Sequence, residues 1–314
     1  DVDLLEAKFK KMSSSPYAYM RGSLAVHLAD VMRIRPKRIP STFLNPSESV
    51  AFLQLGDPHL ENISVYWTES LGTAEWADLD ALSYLPWNWD VRRAGLSLML
   101  IADYTDCDCG VELVEELFNG YFRALSEELN PIEESAILKD LLDEAEEEGL
   151  EQKKLHKYTS EGYFVLDEML SAEGKGLLKL STHEQQQCRR LWLSVDIEGQ
   201  LLDCARKYGM GVSSIPALRF ALLFEDLDQT QNMILIREIM DPPSVLGLSP
   251  VWNSNVERIE AHKWIWSNTH ADPFYRGLAD GDADFKSTGW TSKIQDVDKD
   301  KILKSWEEGD LSKG

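Results

Sequence analysis

Two apolar, β-branched or aromatic runs, SVAFLQLG (49–56) and ISVYWT (63–68), enclose a dense polar segment. That alternation limits what the region can become, because runs of this composition suit strands. The enclosed loop reads Gly56-Asp57-Pro58-His59-Leu60-Glu61-Asn62. After the second run, ESLG (69–72) reads as a turn and TAEWADL (73–79) as a third, shorter strand. Antiparallel pairing about residue 70 sets the residue before one strand beside the residue after the other. Those positions hold Asn62 and Asp78, and Asp57 lies in the loop just before them. Three oxygen-bearing side chains thus converge from one short stretch of chain.

Oxygen donors of this kind suit Mg²⁺, which takes one or two protein carboxylates together with substrate phosphates. Asp57, not needed as a ligand, is placed to accept a proton from a hydroxyl nucleophile. An Asp, an Asn five residues on, and a hairpin ending in Asp is the layout of a protein-kinase catalytic loop and its metal aspartate. A plain polar turn is the competing reading, since Asp-Pro and Asn favour turns by themselves. His59 is expected to bond a backbone carbonyl and fix the loop's shape, because no second His or Cys sits at metal-ligand spacing. A Ser–His–Asp hydrolase is poorly supported, as no G-x-S-x-G elbow occurs, and HEQQQC (183–188) is not H-E-x-x-H.

Along the rest of the chain, residues 1–35 read as helix, interrupted by SSSPYAYMRG, and 36–49 as loop. PWNWDVRRAGLSLMLIADY (86–104) reads as a buried helix with Asp90 near its start, and 111–160 as acidic helix. Residues 184–207 look helical with a break near Gly199. LRFALLFED (218–226) and NMILIREIM (232–240) read as a hairpin, 252–270 as helix, and the chain from about 280 as a polar tail. The order is α+β, without the repeated βαβ signature of a doubly wound sheet.

The 314 residues carry 54 acidic and 32 basic side chains, a net charge of −22. Such a chain repels phosphate backbones, so no nucleic-acid partner is expected; it admits a small-molecule substrate that is cationic, or a basic protein surface, beside the plainer reading of an acidic soluble surface. No apolar run reaches the length of a membrane span, and DVDLLEAKFKKM has no signal-peptide pattern, so no membrane partner and a cytoplasmic location are expected. Cys107, Cys109, Cys188 and Cys204 show no zinc spacing and read as reduced thiols.

The motifs GDPHLEN and DLDAL resemble the loops of aminoglycoside- and choline-kinase-like enzymes, in which Gly-Asp replaces the Arg-Asp of protein kinases. More closely, the chain resembles an uncharacterised bacterial family, domain of unknown function 2252. The matching pieces run from KMSSSPYAYMRGS (11–23) and LQLGDPHLENIS (53–64) to MILIREIMDPPSVL (233–246) and VERIEAHKWIWSNTHADPF (256–274). The resemblance implies a protein-kinase-like fold with a mostly helical catalytic lobe, a small β-containing nucleotide lobe in permuted order, and ATP and Mg²⁺ as cofactors. It implies Asp57 as catalytic base, Asn62 and Asp78 as metal ligands, and Asp90 as the brace of the catalytic loop. Arg21, His59 and Asp80 stand as residues supporting the site or touching substrate.

The lobes implied are 1–200, which bears the catalytic loop, 201–250 for the nucleotide, and 251–314 as a C-terminal helix and tail. Gly211, Ser213, Ser214 and Arg237 occupy the expected nucleotide-binding positions. Two departures stand out. The stretch Gly211-Val212-Ser213-Ser214-Ile215-Pro216 keeps one expected glycine, and Arg237 stands where the family has lysine. The expected function is an ATP- and Mg²⁺-dependent phosphotransferase acting on a small-molecule hydroxyl. A degenerate, nucleotide-binding regulatory protein without catalysis is the alternative.

Overall fold

The computed structural model describes residues 2–30, 51–68, 71–76, 78–86, 88–126, 139–140, 143, 150–168, 176–208, 212, 215, 217–239, 252–261, 272, 274–290 and 293–296. The chain begins with α1 (Val2–Met12), α2 (Pro16–Gly22) and a helical stretch, α3, over 24–30. The break between α1 and α2 follows from the sequence. The Ser15 hydroxyl accepts from the Ala18 N–H at 3.0 Å, and Pro16 takes the first helical position, where its missing N–H is harmless.

Strands β1 (Ala51–Gln54) and β4 (Ser83–Pro86) pair antiparallel, while β2 (Ile63–Thr68) and β3 (Leu71–Trp76) form a hairpin whose second strand starts two residues earlier, and ends three earlier, than the 73–79 read from the sequence. Ile63 sits opposite Trp76, so Asn62 and Asp78 flank the same end of the ladder. The long helix α4 (Trp89–Tyr104) follows, then α5 (Gly110–Ser126) and α6 (Leu150–Tyr158). The α2 and α4 helices close over the loop after β1, burying Tyr17, Met20 and Ile101 around Leu60.

The larger sheet has six antiparallel strands in the order β11-β12-β10-β9-β8-β7. Their ranges are β7 (Gly176–Leu178), β8 (Gly199–Tyr208), β9 (Arg219–Asp226), β10 (Gln231–Glu238), β11 (Arg276–Asp280) and β12 (Ala283–Gly289). A small hairpin, β5 (Thr159–Ser160) with β6 (Tyr163–Phe164), precedes them. Helix α7 (Thr182–Val195) covers one face, packing Cys188, Leu191 and Val195 on Phe220, Leu222 and Phe224. Leu155 of α6 covers the other face against Ala221, Leu223 and Met233. Both faces of β9 are therefore dry, which is why its residues read as an unbroken apolar run. Helix α8 (Asn255–Ala261) packs on β11, and β13 (Lys293–Asp296) joins the edge of β2.

Three readings of the sequence are corrected. Residues 184–207 are not one helix. α7 ends at Asp196, which is left-handed at φ 58°, and β8 begins at Gly199 and pairs with β9. Strand pairing overrides the helical preference of Leu, Ala and Lys there. The chain from about 280 is not a plain tail, since it supplies β12 and β13. Cys107 and Cys109 are joined in a disulfide rather than free. The architecture is α+β. Among the described residues no helix is long and apolar enough to cross a membrane.

Candidate functional site

The loop after β1 is held from below by the first turn of α4. Gly56 turns the chain at φ +84°, a conformation L residues rarely adopt, and a side chain there would drive into the Ala81 carbonyl. Asp90 accepts the Leu55 N–H at 2.6 Å and the Gly56 N–H at 3.0 Å. The Trp89 indole donates to the Gly56 carbonyl at 2.7 Å. Ser97 Oγ accepts the Leu60 N–H at 3.3 Å. Within the loop, Asn62 Nδ2 donates to the Asp57 carbonyl at 3.0 Å, and the Asn62 N–H donates to the His59 carbonyl at 2.8 Å. The backbone that presents Asp57 is therefore bonded at almost every residue.

The Asp57 side chain is 7% exposed as a residue and meets Arg93, which is fully buried. Arg93 Nε donates to Asp57 Oδ1 at 2.8 Å, and its Nη2 reaches the same oxygen at 2.7 Å and the Met20 carbonyl at 2.7 Å. One guanidinium thus ties the end of α2, the loop and α4 together. Burial pushes the Asp57 carboxyl up from its ordinary value, with Arg93 opposing. Burial also pushes Asp90 up, to about 6, against the two N–H bonds it accepts, and the nearby Asp57 charge adds to the rise.

His59 departs from expectation. Its Nδ1 is buried without a hydrogen-bond partner, and its ring stands edge-on to Tyr17 at 6.3 Å. The loop's shape comes from the His59 backbone carbonyl instead. Burial, then the Arg21 charge, lowers the imidazole to about 3, so the ring is neutral at ordinary pH. Arg21 pairs with Glu61 at 2.5 Å and lies over the Tyr17 ring at 5.7 Å.

Asp78 and Asp80 follow β3 at the same end of the hairpin as Asn62 and meet the six-stranded sheet. Arg237 donates to Asp78 Oδ1 at 2.9 Å and also pairs with Asp80. Lys286 Nζ lies 3.4 Å from Asp78 Oδ1 and pairs with Asp80. These cations are cross-strand neighbours: Arg237 of β10 sits opposite Lys286 on one side and Arg219 on the other. Directly paired residues share a sheet face, so three basic side chains form one row. Although burial works against it, the charges of Arg237 and Lys286 hold the Asp78 carboxyl well below the ordinary carboxylate range. Burial lowers the Arg219 guanidinium to about 10. From α8, the buried Arg258 donates to the Asp80 carbonyl. Leu55, Trp76 and Leu79 pack with Ile239, Ile259 and Tyr275 under this junction.

The structure thus brings Asp57, His59, Asn62 and Asp90 into one braced loop, and joins Asp78, Asp80 and Arg237 in an ion cluster beside it. The two groups sense each other, since the Asp78 charge contributes to the shifts of both Asp57 and His59. Gly211, Ser213 and Ser214 lie outside the described residues. Arg93, Lys286, Arg219 and Arg258 are participants the sequence reading missed. Arg93 carried a signal: Asp90, Arg93 and Ser97 recur at i, i+3 and i+7 on one face of α4, and all three face the loop. Lys286 carried none, because its place depends on pairing between β10 and β12.

Among the described residues no three His, Cys, Asp or Glu side chains are placed to hold a metal together. Asn62 spends its amide N–H on the Asp57 carbonyl, and Asp78 is held ionised by Arg237 and Lys286. No match is found among curated proteins or among solved structures. A family model described as an uncharacterized protein conserved in bacteria, domain of unknown function 2252, matches residues 1–238, and the chain belongs to that family.

Proposed function

We propose that this protein is a kinase-like phosphotransferase that uses ATP and Mg²⁺ to phosphorylate a hydroxyl of a small, cationic acceptor. The observation that carries the reading is the meeting of two sequence-distant sets: Asp78 and Asp80, after the catalytic-type loop, against Arg237 and Lys286 of the six-stranded sheet. Phosphoryl transfer calls for such a seam, with a proton acceptor and metal-binding oxygens on one side and cations for phosphate on the other. Asp57, raised by burial, accepts the proton of the acceptor hydroxyl. Asn62 and Asp78 would hold the metal, whose chemistry is to neutralise phosphate charge. Arg237 and Lys286 would receive phosphate oxygens, exchanging carboxylate partners for them. His59, neutral and buried, supports the loop without carrying charge. An acidic surface of net charge −22 favours a cationic acceptor, and an ATP donor suits a cytoplasmic protein.

The test is ATP turnover with Mg²⁺ against a panel of amino-alcohol and aminoglycoside acceptors, with Asp57→Ala as control. Acceptor-dependent ADP release that drops at least ~100-fold in the variant supports the role given to Asp57. Turnover unchanged in the variant removes Asp57 from the mechanism.

A second reading is a nucleotide-binding regulator without catalysis. It is favoured by Arg237 standing where the family has lysine, and by the salt bridge that ties Asp57 to Arg93. Thermal stabilisation by ATP and Mg²⁺ with no phosphate transfer to any acceptor would select it.

A further inference from the structure

Away from this site, on the opposite face of the six-stranded sheet, Cys188 of α7 and Cys204 of β8 place their sulfurs 2.6 Å apart. Neither belongs to the Cys107–Cys109 disulfide. A covalent S–S bond is about 2.05 Å, and 2.6 Å is well inside non-bonded contact. The backbone on each side is fixed independently. Helix α7 opens with a capping box, in which Ser181 and Glu184 bond each other's backbone N–H groups. β8 is locked to β9 with Cys204 opposite Leu222. Asp203 adds a clamp, accepting the Cys204 N–H at 2.8 Å and the Phe164 N–H at 2.9 Å. Both sulfurs sit in one core, Cys188 fully buried and Cys204 half-buried at its margin.

We propose that Cys188 and Cys204 form a reversible disulfide that staples α7 to the six-stranded sheet. The oxidant is a small-molecule disulfide of the glutathione type. The Cys204 thiolate, on the solvent side, attacks it and releases one small thiol, leaving a mixed disulfide on Cys204. The Cys188 thiolate then attacks the Cys204 sulfur and expels the second small thiol. Two protein thiols lose two protons and two electrons, and one small disulfide becomes two thiols. In the resting dithiol the contact with Cys204, together with burial, pushes the Cys188 thiol well above its ordinary value, so the more exposed Cys204 is the thiol that meets the oxidant first. The bond links positions 16 residues apart, across the left-handed turn at Asp196.

The test equilibrates the full chain in buffers of graded oxidised-to-reduced glutathione ratio, traps thiols by alkylation and maps peptides by mass. The expected product is a Cys188–Cys204 linked peptide that grows with the oxidised fraction, with a melting temperature higher by roughly 5 °C. Cys204→Ser should lose both the link and that rise while keeping the Cys107–Cys109 bond, so the two disulfides are separable. Separate alkylation of Cys188 and Cys204 at the most oxidising ratio would overturn the proposal. So would a link from Cys188 to Cys107 or Cys109. If Cys204→Ser fails to fold, the peptide map of the wild-type chain alone decides.

Discussion

Arg237 donates to Asp78 at 2.9 Å across 159 positions of chain, and through that bond the six-stranded sheet meets the end of the β2–β3 hairpin. The pair is partly open, with side chains 16% and 31% exposed, so solvent screens it. A double-mutant cycle with Arg237→Ala and Asp78→Ala should give a coupling of about 1 kcal/mol at low salt, shrinking at high salt. Lys286 and Asp80 remain to hold the junction in either single variant. A coupling near zero at low salt would show that the pair does not join the two regions energetically.

Gly56 is the residue on which the shape of the loop depends. Its φ of +84° and the Ala81 carbonyl beside it leave no room for a Cβ. Gly56→Ala should lower the urea-unfolding free energy by roughly 3 kcal/mol or more, with the m-value unchanged. Ala81→Gly should not rescue it, because the obstacle is backbone. A loss under ~1 kcal/mol would mean the loop relaxes without cost.

How far the sequence reveals all this depends on whether each feature is local. The β2–β3 hairpin was legible because its strands are β-branched and aromatic, and from it the neighbouring of Asn62 and Asp78 followed. The brace from Asp90 was legible only through the resemblance to kinase-like loops, because nothing local to α4 says that its first acidic side chain meets the Leu55 and Gly56 N–H groups. Arg93 was half-legible, through its i+3 spacing from Asp90. β8 was misread because Leu202, Ala205 and Lys207 favour helix locally, and only pairing with β9 makes them a strand. Lys286 was illegible for the same reason, one level higher: its partner Arg237 is set by the order in which strands assemble.

The raised carboxyl of Asp90 gives a pH signature with a definite sign. In the native state it titrates near 6, against an ordinary 3.8, so between those values the folded chain holds a proton that the unfolded chain does not. Its contribution to stability is therefore present at low pH and is lost as pH rises through about 6. Relative to Asp90→Asn, which cannot titrate, the wild type should gain roughly 2 kcal/mol between pH 7 and pH 4.5. Chemical denaturation of both proteins at several pH values measures the gap. A gap that moves the other way would mean the two backbone N–H bonds hold Asp90 ionised.

Arg93 carries the largest expected loss, because its partner has nowhere else to turn. Asp57 is 7% exposed and both guanidinium contacts fall on its Oδ1. Arg93→Met would keep the buried volume but leave a carboxylate stranded, a change that costs about 3–5 kcal/mol in comparable buried pairs. Adding Asp57→Asn removes the stranded charge and should recover a good part of that loss, so the two substitutions are strongly non-additive. Arg93→Lys keeps the charge but cannot span both Asp57 and the Met20 carbonyl as a planar fork does, and should fall between wild type and Arg93→Met. Equal losses for Arg93→Met and the double variant would show that the bond to Met20, rather than the ion pair with Asp57, is what α2 and α4 require.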